Sequence, residues 1–177
     1  MKNFGKHLLQ GILWLTASEV LCLILAVSLA ILPDHPAVRM IALCFGISAH
    51  MLLMGSCAQR AAAEDLILYR SEAYRIRILK PILVAVILTL PSYVTYILLT
   101  VNAESILIIN LFPLLNAPFI RIYKYLIGGT EPFRAVPVNR RAAMAFPPLL
   151  TALAYFGGYV LRYYPSRAAL DARSHRT

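Results

Sequence analysis

The sequence predicts an all-α integral membrane protein, a bundle of about five transmembrane helices, from three observations. The 177 residues are 60% hydrophobic and only 14% charged, whereas soluble domains average about 25% charged residues. The mean hydropathy is +0.70. The charges also cluster, leaving runs of roughly 20 residues nearly free of charge, the length that crosses about 30 Å of hydrocarbon. We therefore expect a single transmembrane domain over residues 1–177 and no separate soluble module.

The basic segment 58–80 orients the predicted spans. It carries five cations against three carboxylates, namely Arg60, Arg70, Arg75, Arg77 and Lys80 against Glu64, Asp65 and Glu72. Basic segments resist translocation, so we expect this one, and the N-terminus, in the cytoplasm. Apolar residues at helical spacing from Leu66 to Ile76 favour a helix, although the alternation over 75–78 fits a strand equally well.

Five apolar runs give the spans in order. The predicted spans are 8–32, 40–57, 81–101, 105–120 and 142–161, and the second cytoplasmic loop is 121–141. The first run exceeds the 7–15 residues of a signal-peptide core and contains Glu19, so we expect it to be retained. Pro33 and Pro36 end it, and Pro113 and Pro118 break the fourth run.

The C-terminal tail leaves two topologies open. In the five-span arrangement the inner segments hold 12 of the 17 Lys and Arg residues, two in the N-terminal tail and five in each loop. The tail, with four Arg, then lies outside. The alternative has four spans plus a re-entrant C-terminal segment, which leaves the tail inside. We favour five spans because the 20 residues of 142–161 are long enough to cross.

Glu19 and His50 are the first candidate site, because charged groups within a membrane face the bundle interior and have a partner. Counted from the turn between the first two spans, their depths differ by about 4–5 Å at about 1.5 Å per residue. An antiparallel pair of helices therefore brings them together. They would form a proton-coupled site, or a buried pair that fixes helix register. A protonated Glu19 bonded to a hydroxyl is a further alternative.

A polar face in the third span and an asparagine in the fourth complete the candidate intramembrane site. Thr89, Ser92, Tyr93 and Tyr96 follow the spacing i, i+3, i+4, i+7 and share one helical face. Their hydroxyls would bond neighbouring helices or line a polar path. Asn110 lies in the proline-broken fourth run, which also holds Asn116, and transporters build ion sites from such broken helices.

The stretch Trp14–Val20, WLTASEV, resembles the first helix of small multidrug-resistance exporters, in which an aromatic residue precedes a membrane-embedded glutamate. The resemblance covers seven residues and implies that Glu19 binds drug and proton. The chain departs from that family in its broad charged loop between the second and third spans. We therefore do not assign the chain to it.

Several functional classes lack their sequence features. Cys22, Cys44 and Cys57 lie in apolar runs without CxxC spacing, so we expect no metal, cofactor or redox site. The common hydrolase, zinc and phosphate-binding motifs are missing, so we do not expect an enzyme. The basic residues occupy short loops, which favours anionic lipid headgroups over nucleic acid as partner. No N-glycosylation sequon occurs, which favours a bacterial inner membrane.

The function expected from the sequence is therefore non-catalytic. We predict an accessory or assembly subunit of a larger bacterial membrane complex, in contact with other membrane proteins or with further copies of itself. The alternative is a small proton-coupled transporter with Glu19 as its membrane-embedded carboxylate. A third class is a protein whose loop 59–80 recruits a cytoplasmic factor.

Overall fold

A computed structural model describes residues 3–30, 35–72, 78–102, 105–127 and 133–174, and these segments form helices without any strand. The helices are α1 (Phe4–Ala30), α2 (Pro36–Glu72), α3 (Leu79–Val101), α4 (Ile106–Leu114), α5 (Ile120–Ile127), α6 (Val138–Ala143) and α7 (Leu149–Ser174). Short 3-10 turns at Ala117–Phe119 and Phe133–Ala135 precede α5 and α6. The all-α prediction is confirmed.

The distribution of polarity is that of a membrane protein. Large apolar side chains face outward, with exposed fractions of 61% for Leu13, 70% for Leu52 and 76% for Ile106. Several charged and polar side chains lie inside, and those of Asp65 and His50 are fully buried. Soluble proteins almost never bury such groups while exposing a continuous apolar surface. The exterior of the bundle therefore suits lipid.

The structure contains fewer clear spans than the five predicted. Helices α1, α2 and α3 are long and apolar enough to cross a membrane. The segments Ile106–Leu114 and Ala117–Ile127 pass the same test only together, and they are bent by 85° as a broken span or a re-entrant loop. Within the described part of the chain the count is thus three or four. Helix α7 does not qualify, because tyrosines, Arg162 and Arg167 interrupt its apolar residues.

Helix α2 is longer than its predicted span because it continues through most of the basic segment. It ends at Glu72 rather than near Cys57. The run Ala61 to Ala63 favours this continuation, since alanine has the highest helix propensity. The helix predicted for this segment is therefore present as far as Glu72, and residues 73–77, with most of the alternating stretch, lie outside the described residues.

Contacts between the long helices fix their directions. Ser18 bonds His50 and Cys22 bonds the Gly46 carbonyl, so α1 and α2 are antiparallel. Helix α7 runs parallel to α2, because Thr151 contacts His50 and, further along both helices, Tyr159 contacts Asp65.

Two glycines bring α2 and α7 especially close. A Cβ atom placed on Gly158 would lie 2.5 Å from the Gly55 carbonyl oxygen and 2.8 Å from its Cα. Only a residue without a side chain fits at such a crossing, and small residues are the usual means by which helices approach closely in lipid. The tight crossing fixes α7 against the middle of α2.

We call the end of the bundle at which α1 and α3 begin the charged end. Asp65, His7 and Lys80 meet there, and the distal half of α7 lies beside it. Tyr159 of α7 bonds Asp65, and the Arg167 guanidinium lies 5.0 Å from the ring centroid of Tyr69. These contacts place α7 on the same end as the start of α1. They fit the re-entrant alternative and disagree with a tail on the opposite side.

The loop 121–141 differs from expectation in the same way. Tyr96, in the last two turns of α3, donates a hydrogen bond to the Arg141 carbonyl, and Tyr123 packs in one cluster with Leu99. The described parts of this segment, 121–127 and 133–141, therefore lie beside the half of α3 remote from the charged end. The basic residues of the segment resemble those of a cytoplasmic loop, so charge alone predicts the same side as 58–80.

Candidate functional site

Glu19 lies inside the bundle and contacts the break that follows α4. Its side chain is 9% exposed, and its Oε2 atom accepts a hydrogen bond of 2.8 Å from the backbone N–H of Ala117. Ala117 begins the 3-10 turn, and the first N–H groups of a helical segment have no acceptor within it. The carboxylate therefore satisfies a backbone donor that the break exposes.

His50 joins three helices through its two ring nitrogens. Its Nδ1 lies 2.7 Å from the Ser18 hydroxyl and its Nε2 lies 2.8 Å from the Thr151 hydroxyl. In the neutral ring one nitrogen donates and the other accepts, and a hydroxyl can form a hydrogen bond with either one. The Phe119 ring meets the imidazole edge-on, with centroids 5.4 Å apart. This arrangement ties α1, α2 and α7 together in the middle of the bundle.

The predicted partnership of Glu19 with His50 is replaced by two separate interactions. The antiparallel register is as expected, because His50 bonds Ser18, the residue immediately before Glu19. Successive residues of an α-helix project about 100° apart. Ser18 therefore faces α2 while Glu19 faces the turn at Ala117. We call Ser18, Glu19, His50, Thr151 and the Ala117 N–H the middle cluster.

The polar face of α3 mainly bonds neighbouring segments. Three of its four hydroxyls donate to backbone carbonyls elsewhere in the chain, Ser92 to Leu115 at 3.1 Å, Tyr93 to Ala145 at 3.0 Å and Tyr96 to Arg141 at 2.8 Å. Thr89 donates instead to Val86 of its own helix. Three of these hydroxyls thus bond carbonyls of other segments, of which only Arg141 belongs to a helix.

Asn110 lies apart from these residues, exposed on α4. The buried asparagine is Asn116, at the break itself. Its amide nitrogen donates to the Thr95 hydroxyl and to the Phe112 carbonyl, and its amide oxygen accepts from Tyr123. Asn116 therefore stabilises the irregular backbone that Pro113 and Pro118 predict.

A second group of buried polar residues occupies the charged end. The Asp65 carboxylate accepts two bonds from the Lys80 ammonium, at 2.7 and 2.9 Å, and one of 2.6 Å from the Tyr159 hydroxyl. The Asp65 side chain is fully buried and that of Lys80 is 4% exposed. A buried ion pair of this kind is tolerated only where further hydrogen bonds complete it, and Tyr159 supplies one.

The first turns of α1 extend this group. Glu64 is 2.7 Å from Lys6 and 3.3 Å from the His7 Nε2, and the other ring nitrogen of His7 is 3.8 Å from Asp65. The His7 side chain is 1% exposed, and Gln10 also reaches Glu64. We call His7, Glu64, Asp65, Lys80 and Tyr159 the charged cluster. It joins α1, α2, α3 and α7.

The charged cluster is not predicted from the sequence, where Glu64, Asp65 and Lys80 have only an orienting role. The spacing within α2 contains the missing information. Buried residues recur at intervals of three or four, at Met54, Ala58, Ala61 and Asp65. That pattern continues the core face of the second span into the basic segment, and it places Asp65 on the buried side.

The two clusters can orient helices and hold charge. In the part of the chain that the structure describes, no group of three or more His, Cys, Asp or Glu is arranged to bind one. A comparison of the chain with known protein families, with curated proteins and with solved structures finds no match. The functional inference therefore begins from the geometry of these two clusters.

Proposed function

We propose that the chain is a non-catalytic multi-pass subunit of a larger bacterial membrane complex. The observation that carries the proposal is that the polar groups of both clusters find their partners within the chain itself. Each cluster residue named above has a hydrogen-bond or ion-pair partner from another segment of the same protein. Polar groups that are paired in this way hold the helices together, which is a structural role and suits a non-catalytic subunit.

The exposed surface of α4 supports a protein partner. Ile106 and Leu107 are 76% and 74% exposed, and α4 buries only Phe112. Its nine residues span about 13 Å, less than half of the hydrocarbon thickness. Irregular backbone at membrane depth persists only where protein or a water-filled cavity surrounds it. The chain itself encloses the turn after α4, since Ala117, Pro118 and Phe119 are buried. A neighbouring membrane protein would cover the face of α4 that remains exposed.

We further propose a location in the bacterial cytoplasmic membrane with the charged end on the cytoplasmic side. Arg60, Arg70 and Lys80 belong to this end, as do Arg162 and Arg167 of α7. Basic residues flanking spans remain preferentially in the cytoplasm. The excess of basic residues at this end is smaller than the 12 of 17 counted from the sequence, because the basic residues of the loop 121–141 belong to the other half of the bundle.

Site-directed photocrosslinking in native membranes tests the subunit role. A photoreactive residue at Ile106 or Leu107 should give one discrete protein adduct when the chain is expressed from its own locus. The same residue at Leu13, which is also exposed, on α1, serves as the control and should give mainly lipid adducts. A chain that migrates as a monomer after mild solubilisation, with no protein adduct at α4, contradicts the proposal.

A second candidate function is proton-coupled transport through Glu19. The observation that favours it is the broken backbone at Ala117, whose N–H meets a buried carboxylate, since transporters build ion sites at helix breaks. The variant Glu19→Gln in proteoliposomes separates the two functions. Loss of proton-coupled solute uptake in a correctly folded protein supports transport. Unchanged assembly, with no uptake even in the wild type, supports the subunit role.

A further inference from the structure

A crevice lies beside the middle cluster, between α1, α2 and the turn that leads into α5. Its walls are apolar or small, formed chiefly by Cys22, Leu25, Leu29, Ala42, Gly46 and Pro118. Its enclosed volume is about 20 Å³, and the rest of the crevice is open to the surroundings. The crevice is thus a narrow groove on the side of the bundle rather than an enclosed chamber.

Among the described residues that line the groove, Arg121 is the one that carries a charge. Its side chain is half-buried, and within the described segments no carboxylate lies within 4.0 Å of it, as the ion pairs there involve other cations. Lys124 follows one turn later on α5 and is exposed. A cation at the side of an apolar groove in a membrane needs an anion to offset its desolvation.

We propose that this groove binds an anionic glycerophospholipid. One acyl chain lies along the apolar walls between Leu29 and Gly46, and the phosphodiester accepts hydrogen bonds from the Arg121 guanidinium, with Lys124 adding positive charge. The pairing of an apolar groove with a guanidinium matches such a lipid, since basic pockets between membrane helices bind anionic headgroups and the guanidinium suits phosphate in two-point contact. A zwitterionic lipid carries its own cation and loses this advantage.

Lipid retention by the purified full-length chain tests the site. The delipidated protein in detergent is mixed with phosphatidylglycerol or with phosphatidylcholine of identical acyl chains, and bound lipid is counted by native mass spectrometry. We expect one phosphatidylglycerol to be retained preferentially. Arg121→Gln should weaken its binding by about tenfold, the effect of losing one hydrogen bond to a charged group. The control Arg140→Gln removes an exposed arginine outside the groove and should change nothing.

A second variant pair tests the acyl-chain part of the groove. Gly46 lies on its wall, where an added Cβ would be 3.9 Å from the Pro118 carbonyl, so Gly46→Leu fills the groove and should abolish retention. Gly157→Leu, where nothing lies within 4 Å of an added Cβ, should retain the lipid. Helix content by circular dichroism confirms that each variant is folded.

Several results overturn the proposal. Equal retention of the two lipids by the wild type, or unchanged retention by Arg121→Gln, means that the groove does not select an anionic lipid. Displacement of bound phosphatidylglycerol by inorganic phosphate alone means that the acyl chain is not held. A lipid-free dimer that Gly46→Leu dissociates assigns the groove to a second copy of the chain instead.

Discussion

The middle cluster and the charged cluster both attach α7 to α2, but by different physics. In the middle, Thr151 reaches His50 through one hydrogen bond, and Glu19 reaches one backbone N–H. At the charged end, three bonds converge on the fully buried Asp65, two of them from Lys80. Losing a partner leaves a polar group unpaired in the first case and a charge unpaired in the second. The charged cluster is therefore the more sensitive of the two.

Breaking the ion pair should have the largest effect. Lys80→Met keeps the length of the side chain and removes its charge, so the Asp65 carboxylate is left buried without its cation. We expect the free energy of unfolding in mixed detergent micelles to fall by about 3–5 kcal/mol, as in other broken buried pairs. Lys124→Met, at an exposed position, is the matched control and should cost less than about 0.5 kcal/mol.

The double variant Asp65→Asn, Lys80→Met sharpens this result. Removing both charges leaves no buried ion, so much of the lost stability should return. If the stability losses of Asp65→Asn and Lys80→Met simply add in the double variant, the two residues do not act as a pair.

The crossing of Gly55 and Gly158 lies between the two clusters. Adding a side chain there should have the next largest effect on the free energy of unfolding. Gly158→Ala places a Cβ 2.5 Å from the Gly55 carbonyl oxygen, and the backbones must separate because neither can rotate away. Overpacking of this kind costs typically about 1–3 kcal/mol, and we expect the upper part of that range. Gly157→Ala, with open space around the added atom, should be neutral or slightly stabilising because alanine favours the helix.

Breaking the middle cluster should cost less than breaking the ion pair. Glu19→Leu removes the acceptor of the Ala117 N–H and leaves that donor unpaired in an apolar setting, at a cost of about 1–3 kcal/mol. Amide hydrogen exchange at Ala117 should accelerate in this variant. Protection that stays at the wild-type level would mean that the carboxylate does not hold the turn.

The conservative change at the same position should have the smallest effect. Glu19→Gln keeps a side-chain oxygen of the same reach, so the bond to Ala117 survives and we expect a change in the free energy of unfolding below about 1 kcal/mol. Equal losses for Gln and Leu at position 19 would indicate that the negative charge, rather than the acceptor, matters for stability.

The part of the fold that the sequence predicts is the part governed by apolar length and by register. Continuous apolar runs define α1, α2 and α3, and counting residues from the turn brings Ser18 and Glu19 to the depth of His50. Proline positions predict the break that Glu19 and Asn116 stabilise. These features depend on local sequence, so local reasoning reaches them.

The charged cluster and the course of α7 depend on contacts that are distant in the chain. Tyr159 and Asp65 are 94 residues apart, and nothing in the residues around either one identifies the other. Charge counts also treat Lys80 as exposed, although Asp65 offsets its charge in the interior. The predicted side of the tail depends on the apolar length of 142–161 and that of the loop 121–141 on charge counts, whereas tertiary contacts determine where both segments lie.

The sidedness of the two chain ends tests the account most directly, since the charged cluster joins the start of α1 to α7. A protease-sensitive epitope is placed at each end of the full chain, and digestion is compared in spheroplasts and in inverted membrane vesicles. The account predicts that both epitopes are cleaved only in inverted vesicles. Cleavage of the two epitopes from opposite sides of the membrane would contradict the contact between Tyr159 and Asp65, and with it the proposed arrangement.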